Sequence, residues 1–197
     1  MSDRTVDTYF DYISPFAYLL ASRVDAVARR EGFSVAWKPI ELESLSNFDG
    51  GLPYTTSKRT YVGIDCARSA DFHGVEIRMP EPFPVRSARA LRAAVVLIGT
   101  EAFPAYHDAV FRAAWAEQLD IGDPAVLARC IEAAGADPQA TLDGASSPAT
   151  EQTLHAFTAE AEAAGVFGVP TMVLDGELFW GNDRLEMLAW RLSGSTT

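Results

Sequence analysis

A chain of 197 residues, 48% of them hydrophobic, can bury a core as one domain or as one domain carrying an insertion. Its 16 basic and 27 acidic residues give a formal net charge of −11. A strongly acidic surface repels nucleic-acid phosphates and anionic lipid headgroups, so we expect neither nucleic acid nor a membrane as partner. A small anion that binds must be attracted by local basic side chains or by helix N-termini.

The cysteines and the N-terminus indicate the compartment. Cys66 and Cys130 are far apart and form no C-x-x-C pair, a pattern that suits a reducing compartment and offers no metal framework. The first ten residues carry charges where a signal peptide needs an apolar stretch, and no apolar run reaches membrane-spanning length. We therefore expect a cytoplasmic protein without a metal site.

The first third of the chain has the pattern of a strand, a helix and a second strand. Residues 6–12 alternate and are rich in aromatic and β-branched side chains, which predicts a strand. Residues 14–31 place apolar side chains at helical spacing and stop at Gly32, and residues 33–42 predict a second strand with Pro39 near its end. This order favours a parallel βαβ unit with a right-handed crossover.

The middle of the chain predicts only helices. They are expected over residues 57–72, 86–98, 102–118, 124–134 and a short stretch after Asp137. A proline-rich loop, HGVEIRMPEPFPV, separates the first two. We interpret residues 43–146 as an inserted helical domain.

The last third predicts a helix, a hairpin and a terminal helix. The helix covers residues 148–164, and strands at 171–174 and 177–180 flank Asp175-Gly176, a turn pair that tolerates positive φ. Asn182 is the expected N-cap of a helix that runs to about Leu192. Residues 1–42 and 147–197 together predict a discontinuous thioredoxin-like domain, a layout that other α/β folds can share.

Ser14 stands where the first helix begins. Ser14 followed by Pro15 is typical of the start of a helix. Serine is a common N-cap, and proline at the first helical position has no N–H to leave unpaired. The surrounding residues do not form a G-x-S-x-G elbow, and His73, His107 and His155 show no triad signature. We expect Ser14 not to be a self-activated nucleophile, and the three histidines to be solvated or incidental.

Two segments resemble a known family. FDYISPFAYLLASRV near the start and GVFGVPTMVLDGELFWGNDRLEML near the end resemble the DsbA-like proteins, and among them the 2-hydroxychromene-2-carboxylate isomerases and kappa-class glutathione transferases. Tyr61-x-x-x-Asp65-x-x-Arg68 and the proline-rich loop extend the likeness loosely through the middle. The resemblance implies an α/β, thioredoxin-like (DsbA-like) domain with a large helical insertion, glutathione as cofactor and a homodimer.

The resemblance gives Ser14 a second role. Ser14-Pro15-Phe16-Ala17 stands where dithiol relatives carry C-x-x-C, so ordinary disulfide exchange by the protein itself is excluded. A glutathione thiolate beside Ser14 would receive a hydrogen bond at the positive end of a helix, and both effects lower the pKa of the thiol. Val169-Pro170 would be a cis-proline pair whose backbone holds the glutathione peptide, although most X-Pro bonds are trans and proline often begins a strand.

Other residues are expected to bind the γ-glutamyl end of glutathione and the carboxylate of the second substrate. One such motif comprises Trp180, Gly181, Asn182 and Asp183. Its backbone N–H groups and Asp183 would hold the charged γ-glutamyl end of glutathione, although helix capping alone also explains the motif. Lys38 and Arg86 are weaker candidates for a substrate carboxylate. Isomerase relatives carry asparagine in two loops where this chain has other residues, and Asn47 is a possible substitute for the first.

The implied reaction converts 2-hydroxychromene-2-carboxylate to trans-o-hydroxybenzylidenepyruvate, with Ser14 as the catalytic residue and a small aromatic carboxylate as substrate. The cofactor thiolate adds to the conjugated system, a bond rotates and elimination restores glutathione. Three alternatives stay open: a glutathione transferase, a DsbA-like oxidoreductase, which the missing C-x-x-C disfavours, and a binding module without chemistry.

Overall fold

A single mixed sheet organises the chain in the computed structural model, which describes residues 4–48, 55–81 and 83–194. Its strands are β1 (Arg4–Phe10), β2 (Phe33–Pro39), β3 (Thr171–Leu174) and β4 (Glu177–Trp180). They lie in the order β2-β1-β3-β4; β1 and β2 are parallel, and β3 is antiparallel to both β1 and β4. Helix α1 (Pro15–Glu31) joins the parallel pair, which confirms the βαβ unit.

The remaining helices fall mostly between β2 and β3, as the helix-rich middle predicts. They are α2 (Thr56–His73), α3 (Ala88–Leu97), α4 (Phe103–Trp115), α5 (Pro124–Ala133), α6 (Pro138–Ala145), α7 (Pro148–Ala163) and, after the sheet, α8 (Leu185–Leu192). Short 3-10 turns occupy Leu42–Ser44, Ser46–Phe48 and Asn182–Arg184. None of the helices in the described ranges is long and apolar enough to span a membrane.

Four helices begin with the same local chemistry. In α1, α5, α6 and α7 an N-cap side-chain oxygen accepts a backbone N–H from the first turn, and proline follows the cap; the caps are Ser14, Asp123, Asp137 and Ser147. The cap satisfies a donor that has no partner within the helix, and proline has none to satisfy. These starts were therefore readable from sequence to within a residue or two.

Both N-terminal strands end earlier than predicted, and Asp11 is the reason. One carboxylate oxygen of Asp11 accepts the Ile13 N–H at 3.0 Å and the other accepts the Leu42 N–H at 3.0 Å. These bonds turn the chain after β1 at Phe10, not residue 12, and after β2 at Pro39, not residue 42. The predicted strand ends were wrong because a side chain replaces the ladder partners there.

The C-terminal hairpin is confirmed, but the helix start after it differs from prediction. Asp175 and Gly176 both have positive φ, 52° and 85°. Asn182 is not an N-cap: Gly181 precedes a 3-10 turn with φ 111°, and the Asn182 side chain is buried. Its Oδ1 atom has no hydrogen-bond partner within the described ranges. The glycine turn directs the amide inward, whereas the sequence predicted that it caps the following helix.

The largest apolar cluster joins the sheet to the inserted helices. Residues after β1 and on α1 pack there against α3, α4 and α5; prominent members are Phe10, Tyr12, Tyr18, Leu91, Phe111 and Trp115. The Trp115 indole N–H also donates to the Tyr12 carbonyl at 2.9 Å. The predicted insertion therefore shares a core with the thioredoxin-like part, so the loop that leads to Ser14 is held from both sides.

His107 lies in this core, which corrects the expectation of a solvated or incidental side chain. Its Nδ1 atom is 3.1 Å from the Tyr12 hydroxyl, and aromatic rings surround it, those of Phe10, Trp37, Phe103 and Phe111. Burial lowers the pKa of His107 to about 3, so the ring is neutral at pH 7. His155, in contrast, is largely exposed.

Asp11 is the other buried ionisable group beside this loop. Burial raises the pKa of its carboxyl to about 6, against the opposing effect of hydrogen bonds from Ser87, Leu42 and Ile13. A carboxyl that binds its proton more tightly in the folded chain stabilises the fold at low pH, and the stabilisation is lost as the pH rises through 6. The contribution of His107 to stability changes with pH in the opposite direction: it rises with pH, because the unfolded chain binds a proton at His107 below the ordinary pKa of 6.5 and the folded chain does not.

Between about pH 4 and 6 the two contributions should therefore cancel in the wild type, and single substitutions should expose them. We expect the unfolding free energy of Asp11→Asn to rise with pH more steeply than that of the wild type, by about 1.4 kcal/mol per pH unit. His107→Asn should show a slope smaller than the wild type by a similar amount. Urea denaturation at pH 4, 5 and 6 measures both; identical slopes in all three proteins would contradict the assignment.

Candidate active site

Ser14 links the start of α1 to a loop far away in sequence. Its Oγ accepts the Ala17 N–H at 3.2 Å, which confirms the predicted cap, and donates to the Val169 carbonyl at 3.2 Å. The side chain is 6% exposed. The hydroxyl is thus held between a helix N-terminus and the loop before β3, and a small rotation can redirect its hydrogen.

The start of α1 is suited to a negative charge. Pro15 has no N–H, the Tyr18 N–H bonds the Ser14 carbonyl, and within the described ranges the Phe16 N–H has no partner. The first turn contains no acidic residue that would neutralise the helix dipole. The site therefore offers a partial positive charge and a free donor beside the Ser14 hydroxyl.

The Val169-Pro170 peptide bond is cis, as the resemblance implies. The Thr171 hydroxyl donates to the Gly168 carbonyl at 2.7 Å, and the Gly181 N–H donates to the Pro170 carbonyl at 2.9 Å. These bonds fix the loop on both sides of Val169. The Val169 N–H has no partner in the part of the chain that the structure describes, so it is available to an extended peptide.

Two half-exposed aromatic rings flank this loop. The rings of Phe167 and Trp180 lie 4.8 Å apart by centroid, and a Cβ on Gly168 would lie 2.9 Å from the Trp180 indole nitrogen. Asn47 donates from Nδ2 to the Phe167 carbonyl at 2.9 Å. The structure therefore brings Asn47 and Trp180 to the loop beside Ser14, although nothing in the sequence pointed to Phe167.

The segment after Trp180 presents one buried amide and one exposed carboxylate. The Asn182 carbonyl accepts from Arg23 Nη2 at 2.8 Å, and Arg23 also contacts Glu186 at 3.1 Å, so α1 holds the segment in place. The Asp183 carboxylate is largely exposed and lies 3.2 Å from Arg184. Arg23 gave no signal in the sequence for this contact, because Asn182 and Glu186 are about 160 residues away in the chain.

Lys38 and Arg86 do not join this group of residues. Lys38 forms ion pairs with Asp7 and Glu160. Burial by itself lowers the pKa of Lys38, but the hydrogen bonds that its ammonium donates to Glu160 and Asp7 outweigh this effect and raise the pKa. Arg86 pairs with Asp120 at the exposed rim of a cleft. Both charges already have acidic partners, and the substrate role of each stays a prediction.

The model of the DSBA-like thioredoxin domain matches residues 5–193. A 2-hydroxychromene-2-carboxylate isomerase from Sphingobium xenophagum is 32% identical over 191 residues, covering 94% of this chain and 96% of the relative. The chain belongs to this DSBA-like family. A solved structure of a 2-hydroxychromene-2-carboxylate isomerase has a TM-score of 0.83 at 31% identity and covers 96% of this chain and 95% of that one. The predicted family and fold class are confirmed.

A more distant likeness concerns the fold alone. The cytosolic disulfide reductase DsbM from Pseudomonas aeruginosa, solved with GSH, has a TM-score of 0.66 at 16% identity and covers 96% of this chain and 99% of that one. In the present chain Ser14-Pro15-Phe16-Ala17 opens the first helix, so no cysteine stands there.

The residues around Ser14 fit glutathione. The tripeptide needs donors for its thiolate, a backbone to pair with, and groups for one carboxylate and one ammonium on the same carbon. Ser14 and the Phe16 N–H can meet the first need and the Val169 N–H the second. The exposed Asp183 carboxylate can accept an ammonium at the surface of the turn.

Gly181 should be indispensable for the shape of this site. Its φ of 111° and ψ of 154° are almost confined to glycine, and an added Cβ would lie 2.5 Å from Asp183 Oδ1. We expect Gly181→Ala to lose about 1–3 kcal/mol more unfolding free energy than Gly99→Ala, a positive-φ control with no atom within 4 Å of the added Cβ.

The double variant Gly181→Ala/Asp183→Ala should recover little of that loss, because the exposed Asp183 side chain can rotate away from the Cβ whereas the strain of the positive φ remains. Urea denaturation measures all four proteins. Equal losses for Gly181→Ala and Gly99→Ala would show that the Gly181 backbone is not constrained in this way.

Proposed function

We propose that the protein is a glutathione-dependent isomerase acting on a small aromatic carboxylate, of the type 2-hydroxychromene-2-carboxylate to trans-o-hydroxybenzylidenepyruvate. The observation that carries the proposal is the Ser14 hydroxyl, fixed between the N-terminus of α1 and the carbonyl before a cis-proline. Relatives that share about a third of the sequence over most of its length bear that isomerase name.

Bound glutathione supplies a thiolate nucleophile that can add to a conjugated double bond and leave again. Ser14 acts on that sulfur by turning its O–H away from the Val169 carbonyl, while its Oγ keeps the Ala17 N–H. The helix N-terminus and the Phe16 N–H stabilise negative charge at the same point. All these groups favour the charged form and lower the pKa of the thiol.

The cis-proline loop and the Gly181 turn position the peptide. The Val169 N–H is the backbone donor for a short strand pairing, and the Pro170 carbonyl is already used by Gly181. The aromatic rings of Phe167 and Trp180 flank this strand on the solvent side.

Glutathione should raise the thermal unfolding midpoint of the wild type, because a ligand that binds only the native state stabilises it. Asp183→Ala should weaken this stabilisation by removing the carboxylate for the ammonium. Differential scanning fluorimetry with millimolar glutathione and with the matched S-methyl derivative measures the effect. A midpoint that does not move at millimolar glutathione would refute the proposal at its first step.

Ser14→Ala should raise the pKa of the bound glutathione thiol by about 1–2 units, because one hydrogen bond to a charged group is lost. The thiolate absorbance near 240 nm, followed against pH, measures the pKa of the thiol. Ser147→Ala is the matched control: it removes the cap of α7, which also precedes a proline. Both variants should lose about 0.5–2 kcal/mol of unfolding free energy, but only Ser14→Ala should move the thiol pKa and slow isomerisation.

A second candidate function is that of a glutathione transferase. Both functions would use the same glutathione site, so the site favours them equally. The two differ in the fate of the cofactor: the isomerase returns glutathione, and the transferase releases a conjugate. Turnover with sub-stoichiometric glutathione distinguishes them. Many turnovers per glutathione are expected, and a reaction that stops after one equivalent would support the transferase.

The proposal also includes a cytoplasmic location and a homodimer. The first rests on two cysteines that are far apart and form no C-x-x-C pair, and the second on the family resemblance. Size-exclusion chromatography with light scattering measures the mass directly, and twice the chain mass of 21.4 kDa is expected.

A further inference from the structure

A cleft of about 590 Å³ borders the loop that leads to Ser14. One wall is the segment around the Leu42–Ser44 turn, and the other is the stretch 84–92, which enters α3. Asp11 and Ile13 line the cleft between the walls, and Ile13 precedes Ser14 directly. Its volume is typical of pockets for small molecules, which range over about 300–1,000 Å³.

The two walls carry opposite charges. Arg86, Arg89 and Arg92 line the α3 side, and Glu41 and Glu43 line the facing side. In a chain with a net charge of −11, three arginines on one wall form a local exception to the overall field. A molecule with a carboxylate at one end and a hydroxyl donor at the other matches this polarity.

Arg92 differs from the other two arginines. Arg86 forms an ion pair with Asp120, and Arg89 donates to the Gly122 carbonyl. Arg92 is half-buried; its only hydrogen bond within the described ranges goes from Nε to the Ala88 carbonyl of its own helix, at 3.3 Å, and it forms no ion pair there. The outer edge of its guanidinium group is thus partly desolvated and lacks a counter-ion.

A guanidinium group binds a carboxylate with two parallel hydrogen bonds. Replacement of water by the carboxylate is most favourable where water is already partly excluded from the guanidinium group. Arg92 meets both conditions on the wall of a cleft that reaches the residue next to Ser14. Lys38, the other cation considered for this role, is already held by Asp7 and Glu160.

We propose that this cleft is the site of the second substrate and that Arg92 binds its carboxylate, with the acidic wall accepting the hydroxyl of a hydroxyaryl acid. The inference rests on the proposed function and adds the residue that binds the substrate carboxylate. It makes Arg92 a residue that determines substrate specificity, through a direct contact with the substrate.

The test uses trans-2-hydroxycinnamate as probe and its uncharged amide as the matched ligand, with the full-length protein and isothermal titration calorimetry. Arg92→Ala should weaken binding of the acid by about tenfold to a hundredfold, the effect of one charged bidentate contact, and leave binding of the amide unchanged. Arg92→Lys should restore part of the affinity for the acid. Arg112→Ala, on the surface of α4 outside the cleft, is the control and should bind both ligands as the wild type does.

Equal acid affinity in Arg92→Ala and wild type would overturn the inference, as would an equal loss for acid and amide. These outcomes are independent of the isomerase reaction, because the probes need no turnover. Glutathione stabilisation is measured on the same variants and should be unaffected by Arg92→Ala. A wild type that does not bind glutathione would refute the proposed function. An Arg92→Ala variant that binds the acid as tightly as the wild type would refute only the carboxylate site.

Discussion

One hydrogen bond, from the Ser14 hydroxyl to the Val169 carbonyl, defines the geometry on which the site depends. It joins residues 155 positions apart in the chain and fixes the N-terminus of α1 against the loop with the cis-proline. The same oxygen caps the helix. Because one atom serves both purposes, the helix dipole, the loop backbone and the Phe16 N–H, which has no partner among the described residues, converge on a small volume. A reactive group placed there meets all of them together.

Asp11 joins the three chain segments that surround this site. Its carboxylate receives hydrogen bonds from the loop before Ser14, from the turn after β2 and from Ser87 at the start of α3. These segments belong to the sheet and to the inserted helices, which also share the core around Phe10 and Trp115. The insertion is therefore part of the scaffold of the site. It contributes the α3 wall of the cleft, and the facing wall, residues 41–44, lies where the thioredoxin-like part passes into the insertion.

The electrostatics of the site are local. The protein carries a net charge of −11, yet the places that can attract an anion are a helix N-terminus without acidic neighbours and an arginine without a counter-ion among the described residues. The two cations that the sequence suggested for a substrate carboxylate already have acidic partners: Lys38 pairs with Asp7 and Glu160, and Arg86 pairs with Asp120. Net charge thus excludes broad classes of partner, whereas ligand recognition is decided by the few charges that the fold leaves uncompensated.

The sequence by itself determined the elements whose causes are local. Caps followed by proline, the Asp175-Gly176 turn and the hydrophobic periodicities depend on neighbours within a few residues, so the helices, the hairpin and the Ser14 cap were predictable. Only the tertiary structure decided where β1 and β2 end, that Asn182 faces inward, that His107 is buried and that Arg23 anchors the Gly181 segment. It also decided which cation is free, Arg92 and not Lys38. Each of these outcomes depends on partners that are distant in sequence, and a single chain without contacts cannot specify which distant group will neutralise, bury or release a given side chain.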